Sequence, residues 1–436
     1  MVSRSTLFPF IVGKYVVFRT LIDLAAIAFL IGLLVSPQKL RGDARKLCLS
    51  PLVIAVSFFV AVFVLSGFFG VDPHASFWSN FERGEGSFQM LHFYAFFMLL
   101  TLLFPSEAEW RKLLWFCLTA AVVVILYGIG AGLNIEGFVG TRFTSGFRFE
   151  GSLGNPAYTA PYLLFTICYA LILFTGTASR GRRTLLALLV GFYFTFFWLT
   201  GTRGAFLGFL AALIVGSAYL FFTSRGKLRL SVGGTLLAMG LILGTLFAFR
   251  GTDIVKGLPG SRLLTLSLRE HTMQTRLWTW QSAIAGWKER PLLGWGPESF
   301  ALVFDKHFDT RHFLPEVPRS ETWFDRAHSV YFDYLVETGI IGIAAYLGMF
   351  TVFYVQLFRK KWEMSVSVKR EGAVSLEKSR EKTGRNLGNV ERALFCALPI
   401  AYLVQGLAVF DVLPIYINVF LFLAFAQYRF NAYGNS

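Results

Sequence analysis

"FFWLTGTRGAFLGFL", Phe196 to Leu210, sets two apolar runs end to end across Thr200, Gly201, Thr202, Arg203 and Gly204. The runs extend outward over 184–200 and 205–223 without another charged residue. Each is close to the roughly 20 apolar residues that a helix needs to cross about 30 Å of hydrocarbon. The stretch therefore reads as two membrane helices joined by a tight turn. An arginine at the bilayer centre costs about 2.5–3.5 kcal/mol on insertion scales. Arg203 is thus either at a membrane edge or facing an anion.

The rest of the chain repeats the pattern. Of 436 residues, 55% are hydrophobic and only 15% are charged, against about 25% charged in a soluble domain. Apolar runs fall at about 20–36, 49–69, 88–104, 112–132, 155–175, 184–200, 205–223, 230–250, 331–358, 393–410 and 412–430. The opening "LFPFIVGKYVVF" is too short and too charged to cross alone, and reads as a half-span or interfacial segment. The expected fold is an all-α polytopic membrane protein of eleven or twelve transmembrane helices. A β-barrel would show short alternating segments instead. No cleavable leader is evident, so the spans direct insertion.

The net charge of +15 would suggest nucleic-acid binding in a soluble protein. Here much of the excess lies in short loops, and no nucleic-acid partner is expected. Lys39, Arg41, Arg45 and Lys46 follow the first run; Arg111 and Lys112, then Arg180, Arg182 and Arg183, then Arg225, Lys227 and Arg229 occupy alternate loops. The basic stretch Arg359 to Arg392 continues the alternation. The positive-inside rule makes these loops cytoplasmic and the opposite face external, periplasmic in a Gram-negative inner membrane. Cys48, Cys117, Cys168 and Cys396 lie in or beside apolar runs without metal or disulfide spacing, and read as small apolar fillers.

Three segments follow: N-terminal spans over 1–250, an external subdomain over 251–330, and C-terminal spans over 331–436. Residues 359–392, polar and poor in aromatics, read as a mobile cytoplasmic loop. Residues 251–330 hold Trp, Phe, Pro and charges of both signs, a composition able to fold, and long ordered loops usually carry function. Within them, Met273, Leu277, Trp280, Ile284 and Trp287 form one apolar helical stripe, expected to lie on the membrane surface or the bundle.

By this topology Arg83, Arg142, Arg148, Arg203, Arg276 and His328 all belong to the external face, and the bundle could gather them around one mouth. Thr202 or Thr200 can cap a helix starting near Gly204, and a helix N-terminus beside an arginine makes an anion site. Guanidinium groups grip phosphate oxygens bidentately. For any one loop arginine, a snorkelling anchor or surface ion pair is the commoner role; several together favour a phosphate or diphosphate site. Arg142 is the weakest member. His328 directly precedes a span, with Asp325 three residues back, on the same face if helical; it reads equally as a general base, a phosphate donor or a packed histidine. Glu337, within an apolar run, is either functional or the buried partner of some arginine.

At these residues the chain resembles a known family. "TRGAFLGFL", "TRLWTWQSAIAGWKERPLLGWGPESF" and "FDRAHSVYFDYLVETGIIGIAAYL" are similar to hallmark blocks of the O-antigen ligase and polymerase superfamily. "FPFIVGKYVVFR", "GVDPHASFWSNFERGEG" and "RFEGSLGNPAYTA" resemble its N-terminal blocks. The resemblance implies a C-type glycosyltransferase fold with a helical periplasmic loop. It implies transfer of a glycan from an undecaprenyl diphosphate donor to lipid A core, to a growing polysaccharide or to protein. No metal or cofactor is expected, because the outer loops offer no carboxylate cluster or DxD motif to hold a metal. Carried over by motif, Arg203 and Arg276 would bind the diphosphate, with Arg83 and Arg148 as further candidates, and His328 matches the family histidine. Arg203, Arg276 and His328 are thus the catalytic candidates, and Asn155, Asp325 and Glu337 join Arg83 and Arg148 as candidate substrate contacts. Two positions depart from the family pattern: Ser329 stands where Asn is common, and Ala157 follows Asn155-Pro156 where a second Asn is common. Both bear on acceptor contacts. A lipid-linked glycan transporter is the competing class, but such proteins place ionisable groups near mid-membrane in related halves.

Overall fold

The computed structural model describes residues 2, 9–35, 47–80, 84–144, 147–256, 271–313, 322–359 and 374–432. Among them it has helices and no strand. In chain order they are α1 (Val12–Val35), α2 (Pro51–Phe68), α3 (Pro73–Trp78), α4 (Ser87–Leu103), α5 (Glu107–Gly132), α6 (Pro156–Thr175), α7 (Arg180–Leu199), α8 (Arg203–Thr223), α9 (Lys227–Ala248), α10 (Asp253–Lys256), α11 (His271–Glu289), α12 (Phe300–Lys306), α13 (Val330–Arg359), α14 (Val374–Gln405) and α15 (Leu413–Ala432). Every apolar run falls on one of these helices. Among the described residues, nine are long and apolar enough to cross a membrane: α1, α2, α5, α6, α7, α8, α9, α13 and α15. The chain is a multi-pass α-helical membrane protein. The apolar α4 has 17 residues, at the short end of the spanning range.

Two boundaries differ from the sequence reading. Residues 12–18 are not a separate half-span but the first turns of α1. Lys14 stays within that helix and donates through Nζ to the Phe10 carbonyl, so a cation near a span end does not break it. Residues 374–392 are helical, not loop, and run on into the apolar half of α14. No proline interrupts 374–398, and once the apolar half is helical each added residue gains a bond at little cost. Residues 360–373 of the expected loop lie outside the described residues.

The chain forms two compact units. The first comprises 1–105, 267–353 and 406–428, the second 106–266, 354–405 and 429–436. In the first unit, Phe59 and Phe63 of α2 meet Tyr334 of α13 edge-on at 5.4 and 6.2 Å between centroids. Phe93 of α4 stacks on Tyr416 of α15 at 4.9 Å. In the second unit, small residues let α8 approach α14 closely. A Cβ added at Gly208 would stand 2.4 Å from the Ala401 carbonyl oxygen, the kind of contact through which apolar helices associate in lipid. Arg429, in the same unit, pairs with Glu107 and, at 2.8 Å, with buried Glu391.

Helix α11 corrects the predicted stripe. Its buried residues are Thr275, Thr279, Ser282, Ala283 and Gly286, while Ile284 is exposed. The reason is the approach of α12: a Cβ at Gly286 would stand 2.2 Å from Cγ1 of Val303. Closeness selects small side chains on the packed face, so that face carries no hydrophobic signal. Of the predicted stripe, Trp280 packs on the neighbouring cluster of Trp295, Phe300, Phe304 and Phe324.

Candidate active site

Two groups of polar residues stand out, one in each unit. The group in the second unit surrounds the start of α8. Helix α7 ends at Leu199, and the Thr200 hydroxyl donates back to the Phe197 carbonyl at 2.7 Å. Gly201 takes φ +56°, and Arg203 becomes the first residue of α8. The segment before α6 holds this turn in place. Phe149 N–H donates to the Leu199 carbonyl at 2.9 Å. Arg148 donates through Nε to the Thr200 carbonyl at 2.9 Å and through Nη2 to Oγ1 of Thr202 at 3.1 Å.

Here the predicted cap is corrected. Thr202 is the N-cap residue by position, yet its hydroxyl makes no cap bond. It donates instead to the Pro156 carbonyl at 3.1 Å. The first turn of α8 therefore keeps its amide dipoles at the end where Arg203 sits, which favours an anion there. Asn155 is itself a cap: its Oδ1 accepts the Ala157 N–H at 2.8 Å and starts α6. Arg142 is exposed to solvent. Arg83 lies outside the described residues.

The group in the first unit surrounds His328. Residues 322–329 are not helical, so the three-residue spacing does not put Asp325 and His328 on one helix face. His328 has φ +55°, a left-handed conformation in which histidine is among the more tolerant side chains and which costs on the order of 1–3 kcal/mol where it is held. Its ring lies edge-on between Phe324 and Phe410, each 5.2 Å away. Nδ1 is 3.2 Å from the Arg326 carbonyl oxygen. In neutral imidazole that contact favours the proton on Nδ1 and leaves the lone pair on Nε2. Arg276 sits one turn before Trp280 on α11, and the Trp280 indole donates to the Ala327 carbonyl at 2.9 Å. Helix α11, which carries Arg276, thus meets the His328 loop through Trp280.

The residue that the sequence reading missed is Arg326. It is 7% exposed. Nη2 pairs with Glu298 and lies 3.7 Å from Glu85, while Nη1 donates to Oε1 of Glu337 at 2.9 Å. Burial disfavours its charge, but Glu298 and then Glu337, Glu85 and Asp333 hold the guanidinium protonated above its usual range. Glu337 is thus the buried partner of an arginine, as one of its two readings had it. An ionisable residue inside an apolar run demands a cation; Arg326, eleven residues upstream, was the available signal.

Glu337 reaches Arg326 because α13 is broken there. Gly339 has φ +65° and ψ −168° inside the helix. The chain from Pro291 to Gly296 lies against the break. Trp295 N–H donates to the Val336 carbonyl at 2.9 Å, Gly296 N–H to the Glu337 carbonyl at 2.9 Å, and Ile340 N–H to the Pro291 carbonyl at 2.8 Å. A Cβ at Gly339 would stand 2.2 Å from the Leu292 carbonyl oxygen, so both backbone angle and space require glycine. Irregular backbone within a membrane segment persists only where protein satisfies its polar groups.

Comparison with known proteins fits this picture. No curated protein matches the chain. Residues 165–347 match the family model described as O-Antigen ligase. That segment, less than half of the chain, holds Arg203, Arg276, Arg326, His328 and Glu337, and over it the chain is similar to the O-antigen ligase family.

Proposed function

We propose that the chain moves a glycan from an undecaprenyl diphosphate donor to a hydroxyl of lipid A core, at the periplasmic face of the inner membrane. The observation that carries this reading is that the matched family segment, described as a ligase, contains Arg203, Arg276 and His328 together. The chain's mechanism follows from their chemistry. As the sugar–phosphate bond breaks, negative charge grows on the departing diphosphate. Guanidinium groups placed in advance stabilise that charge more in the transition state than in the ground state. Arg203, with the α8 dipole behind it, and Arg276 supply this stabilisation, so no metal is required in the reading. His328 accepts the proton of the acceptor hydroxyl at Nε2. The hydroxyl attacks from the face opposite the diphosphate, and the anomeric centre inverts.

The test is transfer by the purified protein in nanodiscs from one undecaprenyl diphosphate-linked glycan to three acceptors: lipid A core, a second lipid-linked glycan, and a serine-rich peptide. Product on lipid A core alone is the expected result. Product on the second glycan reassigns the chain as a polymerase, and product on the peptide as a protein glycosyltransferase. Donor movement across the bilayer without any product would mean a transporter. Chelator should leave turnover unchanged; inhibition reversed by a divalent ion would overturn the metal-independent mechanism.

A further inference from the structure

The backbone on both sides of His328 is anchored. Ala327 N–H donates to Oδ1 of Asp333 at 2.7 Å, and its carbonyl accepts from the Trp280 indole. Val330 N–H donates to the Gly406 carbonyl at 2.9 Å and to the Val409 carbonyl at 3.2 Å. On the upstream side the anchor is the Arg326 side chain. It ties this loop to three other parts of the same unit: Glu298 in the turn before α12, Glu337 at the break in α13, and Glu85 before α4.

Those three carboxylates are themselves held. Oε1 of Glu337 accepts the Glu298 N–H at 3.0 Å. Oε1 of Glu85 accepts the Leu413 N–H at 3.0 Å, and the Glu85 N–H donates to the Ser79 hydroxyl at 3.1 Å. That hydroxyl donates to Oε2 of Glu298 at 2.9 Å. Arg19 of α1 locks the same turn, donating to the Gly84 carbonyl at 2.7 Å and to Oε1 of Gln89 at 2.6 Å. The arginine is thus the centre of a buried lattice, and its own carbonyl faces Nδ1 of the histidine.

We propose that Arg326 is a positioning residue for His328: its fork onto the three glutamates fixes where the Arg326 carbonyl lies, and that carbonyl sets the tautomer and direction of the imidazole. The proposal rests on the reading of His328 as the group that meets the acceptor hydroxyl. It predicts a role in turnover without a role in donor binding. A guanidinium meets these carboxylates from two nitrogens of a rigid planar fork, whereas an ammonium must place all its donors on one nitrogen of a flexible stem.

The experiment uses the full-length protein in nanodiscs, with a synthetic undecaprenyl diphosphate-linked trisaccharide as donor and lipid A core as acceptor. In Arg326→Lys, kcat should fall by at least about tenfold while the donor KM stays within about twofold, because misaligned groups lose rate rather than affinity. In parallel, 15N spectra of histidine-labelled protein, assigned by subtraction of His328→Ala, should lose the Nδ1–H signature. If Arg326→Lys does not fold, Glu298→Gln keeps the arginine and two carboxylates and should show the same split at smaller size. An unchanged kcat with an unchanged imidazole spectrum, or a raised donor KM at normal kcat, overturns the proposal. Full activity of His328→Ala overturns the base reading instead, and the spectra then still report whether Arg326 orients the ring.

Discussion

Arg148 and Arg326 are both arginines that shape a turn, yet their surroundings differ. Arg148 spans the turn before α8 and donates to a carbonyl and a hydroxyl, the Thr200 oxygen and Oγ1 of Thr202. Arg326 is buried against Glu298, Glu337 and Glu85. The Thr200 carbonyl and the Thr202 hydroxyl are neutral acceptors that brace the turn. The carboxylates around Arg326 cancel its charge and turn it into a structural joint. The difference separates an arginine that braces a turn through neutral oxygens from one buried in a lattice of carboxylates. Residue type and loop position do not reveal which is which; the partners do.

Substitutions at the two turns should separate these roles, beginning with the strongest. Arg326→Leu strands three carboxylates without their cation, and removing one member of a buried ion pair costs about 3–5 kcal/mol. Thermal unfolding of this variant should show a larger loss than any change at Arg148 or Arg203; a normal melt would mean the joint is ornamental. Arg203→Ala should leave the melt unchanged and cut kcat by about 10²–10³-fold, the range for removing one preorganised charge stabiliser. Arg203→Lys should lose most of the activity as well, since one ammonium cannot grip a diphosphate bidentately. Wild-type transfer by both Arg203→Ala and Arg276→Ala would remove the diphosphate reading.

Arg148→Gln probes the other side of the contrast. It should cost about 1–2 kcal/mol through the two lost charge-assisted bonds and lower turnover less than Arg203→Ala does. Equal kinetic losses at the two positions would make Arg148 a direct phosphate ligand.

The smallest expected effect is acid sensitivity confined to the His328 region. His312 is fully buried among Trp278, Phe304 and Phe324, and Phe324 is also a wall of the His328 ring. Burial, partly offset by Asp309 and aided by Arg311 and His271, pushes its pKa below the ordinary value. The unfolded chain therefore binds the proton first. The stability from neutral His312 is complete above about pH 6.5 and is lost as pH falls below it. His312→Gln should flatten that acid slope without moving the neutral-pH kcat; an unaltered slope would show that another group titrates.

Much of the architecture was readable from one dimension. Eleven apolar runs became helices because a span must satisfy all its backbone bonds within the segment, and that demand is written locally. The position of Arg203 at a helix start was legible for the same reason: a permanent charge between two apolar runs marks the end of a span. Arg326 was not legible, since its meaning lies in Glu85, Glu298 and Glu337, and only Glu337 announced itself by standing in an apolar run. The packed face of α11 was misread because close approach at Gly286 and Val303 selects small residues, which leave no hydrophobic trace.

Residue order alone settles that this chain lives in a membrane as helices, and its motifs resemble those of the O-antigen ligase superfamily. It does not settle which helix surfaces meet. Helix α9 has no buried residue, whereas 78% of the apolar window of α15 is buried, and the less buried helix is the more apolar of the two. Apolarity in a span measures agreement with lipid, not contact with protein, because the surrounding solvent is as apolar as the core. Three-dimensional packing was needed to place the break in α13, to choose the carboxylates that Arg326 holds, and to set a backbone carbonyl against the imidazole of His328. Those choices depend on groups brought together across long stretches of chain, where no local pattern records them.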